Sequence, residues 1–247
     1  TAIQEWLGGG NTIEVDWKPS EKLVIGVYAT KTKATTEFIV SPYAAPYKEN
    51  YKIERKLSLP FKSTGKGLVL EYVCRNYAQA GKSLLVLCQG KTSANNTAEK
   101  IFENIEQPDF VDSDTQLVSK YLEEEIGCST LFSQLLSKGV AVHHAGLSDE
   151  TKQLVEHLIR ERHVRFICAT TTIAEGVNFP VSSVYFDTFY KGEAKKENIL
   201  SSNDFWNIAG RAGRTMVDDY GKIILPFNSK KNRENAIGIV HKSAEEL

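Results

Sequence analysis

From about Gly67 onward the chain alternates short, uninterrupted apolar runs with longer stretches of helical period, and this alternation constrains the fold more than any other feature. The runs Ser83–Cys88, Val140–His143, Arg165–Ala169, Ser183–Phe189 and Lys222–Pro226 place apolar residues at consecutive positions instead of every second one. A strand of that kind has both faces buried, as in a parallel sheet covered on each side by crossover helices. Between the runs, helices are predicted over Leu68–Ala80, Ala94–Ile105 with Ser93 as its cap, Asp114–Ile126, Thr130–Leu136, Asp149–Arg162 opened by Ser148, Ser202–Ala212, and from about Asn232. Asp149 and Glu150 sit at the positive end of their helix and Arg160 and Arg162 at the negative end. The fold class is therefore α/β: a doubly wound, mostly parallel sheet with helices on both faces.

The first 66 residues differ. Thr12–Asp16, Leu23–Tyr28, Glu37–Val40 and Tyr51–Leu57 read as strands punctuated by Pro and Lys, which divides the chain into a strand-rich extension over 1–66 and an α/β domain over 67–247. Trp6-Leu7 followed by Gly8-Gly9-Gly10 has the pattern of a helix end whose beginning is absent, so the chain is expected to be part of a longer protein.

Charge excludes one explanation for nucleic-acid binding. The 30 Lys and Arg nearly cancel the 31 Asp and Glu, so no global field draws the chain to a polyanion and any such binding must be local. No run of about 18 apolar residues and no charged-then-apolar leader occurs, which predicts no membrane partner and a cytoplasmic location, or a nuclear one in a eukaryote. Cys74, Cys88, Cys128 and Cys168 are widely spaced, and two of them fall in apolar strands, so they are expected to be buried free thiols.

Polar residues gather where strands end, the edge at which open α/β sheets collect ligands. His143-His144-Ala145-Gly146 follows one strand, Thr170-Thr171-Thr172 follows another, and Gly176 lies in the next turn. Threonine hydroxyls and glycine amides there suit phosphate, although each also serves an ordinary cap or turn. His143 and His144 are neighbours on a strand, point to opposite faces and have no third ligand, so no metal site is expected. Gly90-Lys91-Thr92 has the ending of a phosphate loop, but Leu85 stands where its first glycine is required. Phe205 and Trp206 are expected to be core anchors. Asn207-Ile-Ala-Gly-Arg-Ala-Gly-Arg214 sets Arg211 and Arg214 three residues apart, on one face if helical, with Gly210 and Gly213 clearing space beside them. Such a pair either forms a solvated helix face or forks onto phosphate oxygens.

Taken in order, these motifs resemble the second RecA-like domain of a superfamily-two helicase over roughly residues 67 to 227. Ser83–Cys88 with the helix from Ser93 is similar to motif IV, Val142–Leu147 to motif IVa, Ala169–Pro180 to motif V and Asn207–Arg214 to motif VI. The combination His-His-Ala-Gly-Leu, Glu-Gly-Val-Asn-Phe-Pro and Gly-Arg-Ala-Gly-Arg is similar to the superkiller-like branch, which includes exosome-associated RNA helicases and archaeal repair DNA helicases. The resemblance implies a RecA-like sheet, with ATP and Mg²⁺ held mainly by a first RecA-like domain of the same protein. It implies Arg211 and Arg214 as arginine fingers on the γ-phosphate, and Gly176, Asn178, Asn207 and Gly210 on the nucleotide side. Thr170, Thr172 and the His144-Ala145-Gly146 loop would hold the backbone of one strand of single-stranded or partly duplex RNA or DNA. Two positions depart from the family pattern: Asn207 stands where Gln is usual, and Lys152 where Arg is common.

The phosphate loop and the acidic Mg-binding motif do not occur in the chain, and by the resemblance Thr1 falls just past motif III. The parent protein is thus expected to be an ATP-dependent helicase, and the chain alone to be inactive. Two other readings compete: a non-catalytic nucleic-acid-binding scaffold with a helicase-like fold, and a small-molecule α/β enzyme. The second lacks any nucleophile with a base beside it.

Overall fold

The computed structural model describes residues 21–32, 35–42, 55–59, 66–106, 108, 110–126, 130–171, 179, 181–192, 195, 198–213, 218, 220–227 and 230–242. Its elements are β1 (Glu21–Thr32), β2 (Thr35–Pro42), β3 (Arg55–Leu59), α1 (Lys66–Gln79), β4 (Leu84–Cys88), α2 (Lys91–Asn104), α3 (Ser113–Ile126) and α4 (Leu131–Ser137). They continue with β5 (Val140–His143), α5 (Asp149–Arg160), β6 (Phe166–Thr170), β7 (Ser183–Phe186), α6 (Ser202–Ala209), β8 (Tyr220–Pro226) and α7 (Lys230–Lys242).

One eight-stranded sheet runs in the order β3-β2-β1-β8-β7-β4-β6-β5. The block from β1 to β5 is parallel throughout, while β2 and β3 add an antiparallel edge. The doubly wound α/β architecture expected from the alternating pattern is therefore present. β1 pairs in parallel with β8, Leu23 opposite Lys222 and Val27 opposite Pro226, so β1, β2 and β3 lengthen the same sheet.

Continuous apolar strands are what two buried faces require, and β4 shows it. Leu85 and Leu87 face one side with Ala141 and Ile167, against Val155 and Leu158 of α5, Phe205 and Ile208 of α6 and Ile239 of α7. Leu84, Val86 and Cys88 face the other with Val142 and Phe166, against Val69 and Val73 of α1 and Ala94, Ala98 and Ile101 of α2. The rings of Phe205 and Phe186 pack 4.6 Å apart between centres at a tilt of 33°, and Trp206 packs half-buried beside them, so both aromatic residues anchor the core. Cys74, Cys88 and Cys168 are buried free thiols, and burial raises the pKa of Cys74 and Cys168; Cys128 lies outside the described residues.

Most helix boundaries lie within two residues of the sequence expectation, and three that differ do so for a local reason. α2 starts at Lys91, with extended Gly90 as its N-cap, so Ser93 lies inside the first turn and does not cap it. α5 stops at Arg160: His163 N–H bonds Leu158 O at 2.9 Å while Arg162 takes a left-handed φ of 66°, a place where glycine is usual. α6 stops at Ala209 instead of reaching Ala212, because the bonds Arg211 N to Ile208 O and Ala212 N to Ala209 O, both 3.1 Å, tighten the chain into a turn. Its start is held by a reciprocal cap, Asp204 N to Ser201 Oγ at 3.1 Å and Ser201 N to Asp204 Oδ2 at 3.2 Å. The predicted strand over 12–16 lies outside the described residues.

His143 ends β5 fully buried, its Nε2 2.9 Å from Glu156 Oε1 of α5 and its ring edge-on to Phe179. Burial holds its pKa below 6.5 against the opposing pull of Glu156. The folded state therefore binds protons less readily than the unfolded chain, so this residue's contribution is intact above about pH 6.5 and is lost as the pH falls through the folded pKa. Chemical denaturation at pH 7.5 and pH 5.5 should give a lower midpoint at pH 5.5, and the difference should shrink in His143→Gln. An unchanged difference in that variant would place the sensitivity elsewhere.

Candidate functional site

Strand register brings one set of the sequence-identified residues to a common edge. Thr170 pairs with Cys88 and Ala169 with His143, so β4, β5 and β6 end at one level. β4 is also where the winding reverses, since β5 and β6 lie to one side of it and β7 and β8 to the other. Crevices at such a switch point are the usual ligand site of open α/β sheets.

The two histidines reach opposite faces, as adjacent strand residues must. His143 meets α5, whereas His144 Nε2 lies 3.1 Å from Asn95 Oδ1 of α2. Gly146 N–H donates to His144 Nδ1 at 3.1 Å, which makes Nδ1 the acceptor and assigns the proton to Nε2, donating to Asn95. Burial lowers the pKa of His144 too, favouring that neutral form. His144 thus braces the turn from inside, while Ala145 and Gly146 are exposed. Thr170 is nearly buried at the end of β6.

The sequence pattern alone passed over Lys91. A Cβ placed on Gly146 would come within 3.0 Å of Lys91 Cδ, so the lysine stem runs directly across this turn. Gly90 has no side chain to cap α2, which leaves the first-turn amides of that helix without a side-chain partner. An exposed ammonium, uncapped amides and the Gly146 turn therefore share the carboxyl edge beside β4. The signal was Gly90-Lys91-Thr92 itself: it is not a wrapping phosphate loop, but it marks a helix N-terminus at the switch point. Lys152, the other departure from the family pattern, is tied to Asp149 at 2.8 Å.

Arg211 is elsewhere. α6 runs back against the strands, and its 8 residues carry the chain about 12 Å, at ~1.5 Å per residue, toward their amino ends. There Ala212 bridges to Val181, just before β7, and Gly213, with φ 87°, donates to Val181 O at 2.9 Å. Asn207 and Gly210 are exposed on this approach and Arg211 is half-buried. The helix ends before Arg211, which lies in the turn that follows it; Arg214, Thr172, Gly176 and Asn178 lie outside the described residues.

Two further residues shape this turn. A Cβ on Gly221 of β8 would sit 2.2 Å from Ala212 O, so only glycine admits the turn so close to the sheet. Beside Gly221 in register, Lys22 of β1 donates its Nζ to Gly210 O at 3.0 Å and also to Ala212 O. Its burial lowers its pKa. Lys22 lies 188 residues from Gly210 in sequence, and no local pattern links them.

Chemically, the carboxyl edge offers amides and an ammonium to phosphate, and the amino edge offers a guanidinium on a glycine-flanked turn. Among the described residues no group of three or more His, Cys, Asp or Glu is placed to hold a metal, and no helix is long and apolar enough to cross a membrane.

The chain has relatives that span both RNA and DNA helicases. It is 31% identical over 228 residues to the Hachiman protein HamB of Bacillus cereus, covering 90% of this chain and 19% of that protein. It is 36% identical over 93 residues to the ATP-dependent DNA helicase Hel308 of Aeropyrum pernix, covering 38% of this chain and 13% of that one. It is 34% identical over 113 residues to the human exosome RNA helicase MTR4, covering 46% of this chain and 11% of that one. The chain thus spans less than a fifth of the length of these relatives. The model of the helicase conserved C-terminal domain matches residues 68–216, from α1 through the Arg211 turn, and the chain therefore belongs to that family, as the C-terminal RecA-like domain of a superfamily-two helicase.

Proposed function

We propose that this chain is one half of an ATP-driven nucleic-acid motor whose parent protein hydrolyses ATP with Mg²⁺ and moves along one strand of RNA or DNA. A first RecA-like domain of the same protein holds the nucleotide, and this domain closes on it. The observation that carries the reading is the glycine-bounded turn that holds Arg211 at the end of α6, inside a matched helicase domain. Arg211, with Arg214, reaches across the cleft to the γ-phosphate and stabilises charge as the phosphoryl group passes to water. Gly176, Asn178, Asn207 and Gly210 line the nucleotide side.

The strand is held at the other edge. Lys91, the Ala145–Gly146 turn braced by His144, Thr170 and Thr172 contact its phosphates, and none of these contacts reads a base. A local cluster of this kind explains how a chain of net charge −1 binds a polyanion.

In the full-length protein, Arg211→Ala should lower the steady-state ATPase rate by roughly 10³- to 10⁵-fold, and Arg211→Lys should restore little because an ammonium cannot reproduce the planar fork. Wild-type turnover in Arg211→Ala, with the fold confirmed by thermal unfolding, would remove the assignment. The 247-residue chain alone should show no ATP hydrolysis above a mock preparation, since its sequence contains neither a phosphate loop nor an acidic Mg-binding motif.

Binding of a single-stranded oligonucleotide should be salt-dependent and indifferent to sequence. Lys91→Ala should weaken it equally for all sequences and reduce the slope of log K against log salt by about 0.7, the loss of one phosphate contact. Strong discrimination among equal-length oligonucleotides, or an unchanged slope, would contradict the backbone-only reading.

A further inference from the structure

The ammonium of Lys22 is held by two backbone carbonyls that flank a single residue. Gly210 O accepts from Nζ at 3.0 Å, Ala212 O accepts as well, and Arg211 lies between them. Gly210 is the C-cap of α6, so its oxygen belongs to the negative end of that helix, where a cation is stabilised both by the helix dipole and by a carbonyl without a helical partner, and Ala212 O lies in the turn just beyond. The lysine stem crosses from β1 over β8, and the contact is possible only because its register partner is Gly221. Any larger residue there would drive into Ala212 O.

The remaining supports of the turn come from other directions. Gly213 N–H donates to Val181 O and Ser182 O ahead of β7, and Arg211 N–H donates back to Ile208 O in α6. Each peptide unit is planar, so those bonds hold from the N–H side the same two units, Gly210–Arg211 and Ala212–Gly213, whose carbonyls Lys22 grips from the other side. The Gly210–Arg211 unit, one of the two that set the direction of the Arg211 Cα–Cβ bond, is thereby held at both ends. A neutral side chain of the same length would leave both carbonyls without this donor, and a turn between glycines has little intrinsic stiffness with which to compensate.

We propose that Lys22 is a positioning residue for ATP hydrolysis: its ammonium clamps the Gly210 and Ala212 carbonyls and so aims Arg211 at the nucleotide. This rests on the arginine-finger reading above. The Lys22 ammonium bonds the backbone of the turn, and it acts through Arg211. It makes the strand β1, at the far end of the sequence from Arg211, part of the machinery that orients it. The effect belongs on the chemical step and not on binding, because a misaimed guanidinium forfeits charge stabilisation in the transition state while leaving the nucleotide's main contacts intact.

The test uses the full-length protein with Lys22→Met, Lys22→Arg and Arg211→Ala measured side by side for steady-state ATPase, oligonucleotide affinity and thermal unfolding. Lys22→Met should lower kcat at least 10-fold, with the KM for ATP and the oligonucleotide Kd each within about twofold of wild type and the melting temperature little changed. Lys22→Arg, which keeps a donor cation on the same carbonyls, should recover most of the rate. If Lys22→Met turns over normally while Arg211→Ala is inactive, the clamp is overturned and the arginine assignment survives. If Lys22→Met loses rate only together with its melting temperature and Lys22→Arg does not recover it, Lys22 is a structural support and the proposal fails. If Arg211→Ala itself turns over normally, the arginine reading falls and the clamp with it.

Discussion

A parallel strand and the helix that returns from it run in opposite directions, and the arrangement of this domain depends on that constraint. Because the six strands from β1 to β5 in sheet order are parallel, all their carboxyl ends lie on one edge and every return helix ends at the other. Residues that follow strands, such as Thr170, Gly146 and Lys91, therefore collect at one end. A residue that follows a helix, such as Arg211, must appear at the opposite end. The sheet itself separates the edge that carries Lys91, Gly146 and Thr170 from the edge that carries Arg211, and α6 is the element that runs between them.

The separation has an energetic counterpart. The carboxyl edge is built from neutral supports: buried His144 holds Gly146 through its ring nitrogen, and the amides of α2 face outward without a side-chain cap. The amino edge is built on a charge. Lys22 is half-buried against carbonyl oxygens, a placement that costs desolvation and is offset only because those oxygens need donors. Glycine appears at both edges for the same reason. At Gly146 and Gly221 a Cβ would intrude on a neighbour, and at Gly221 that neighbour is backbone that cannot move aside.

Much of this fold was legible in the sequence because buried parallel strands write themselves as consecutive apolar residues. Val140–His143 was bounded correctly, and β4, β6, β7 and β8 were placed to within a few residues. Two helix ends were misjudged at turns: α5 stops where Arg162 takes a left-handed φ, and α6 stops after Ala209 because Gly210 and Gly213 let the chain leave a helix whose period continues through Ala212. The positions of His144 and Thr170 at the strand ends were legible because they follow apolar runs. Lys91 was visible only as a failed phosphate loop, since its value comes from a switch point that exists in the sheet order and not in the sequence order. Lys22 left no trace at all, because its partners are main-chain oxygens 188 and 190 residues away.

If a nucleic-acid strand binds at the end of the sheet opposite Arg211, amide hydrogen exchange on this chain will locate it. With a saturating single-stranded oligonucleotide, protection should increase at Gly146, at Thr170 and across the first turn of α2, and remain unchanged from Gly210 to Gly213. Protection centred on Gly210 to Gly213, with none at Gly146 and Thr170, would contradict the account.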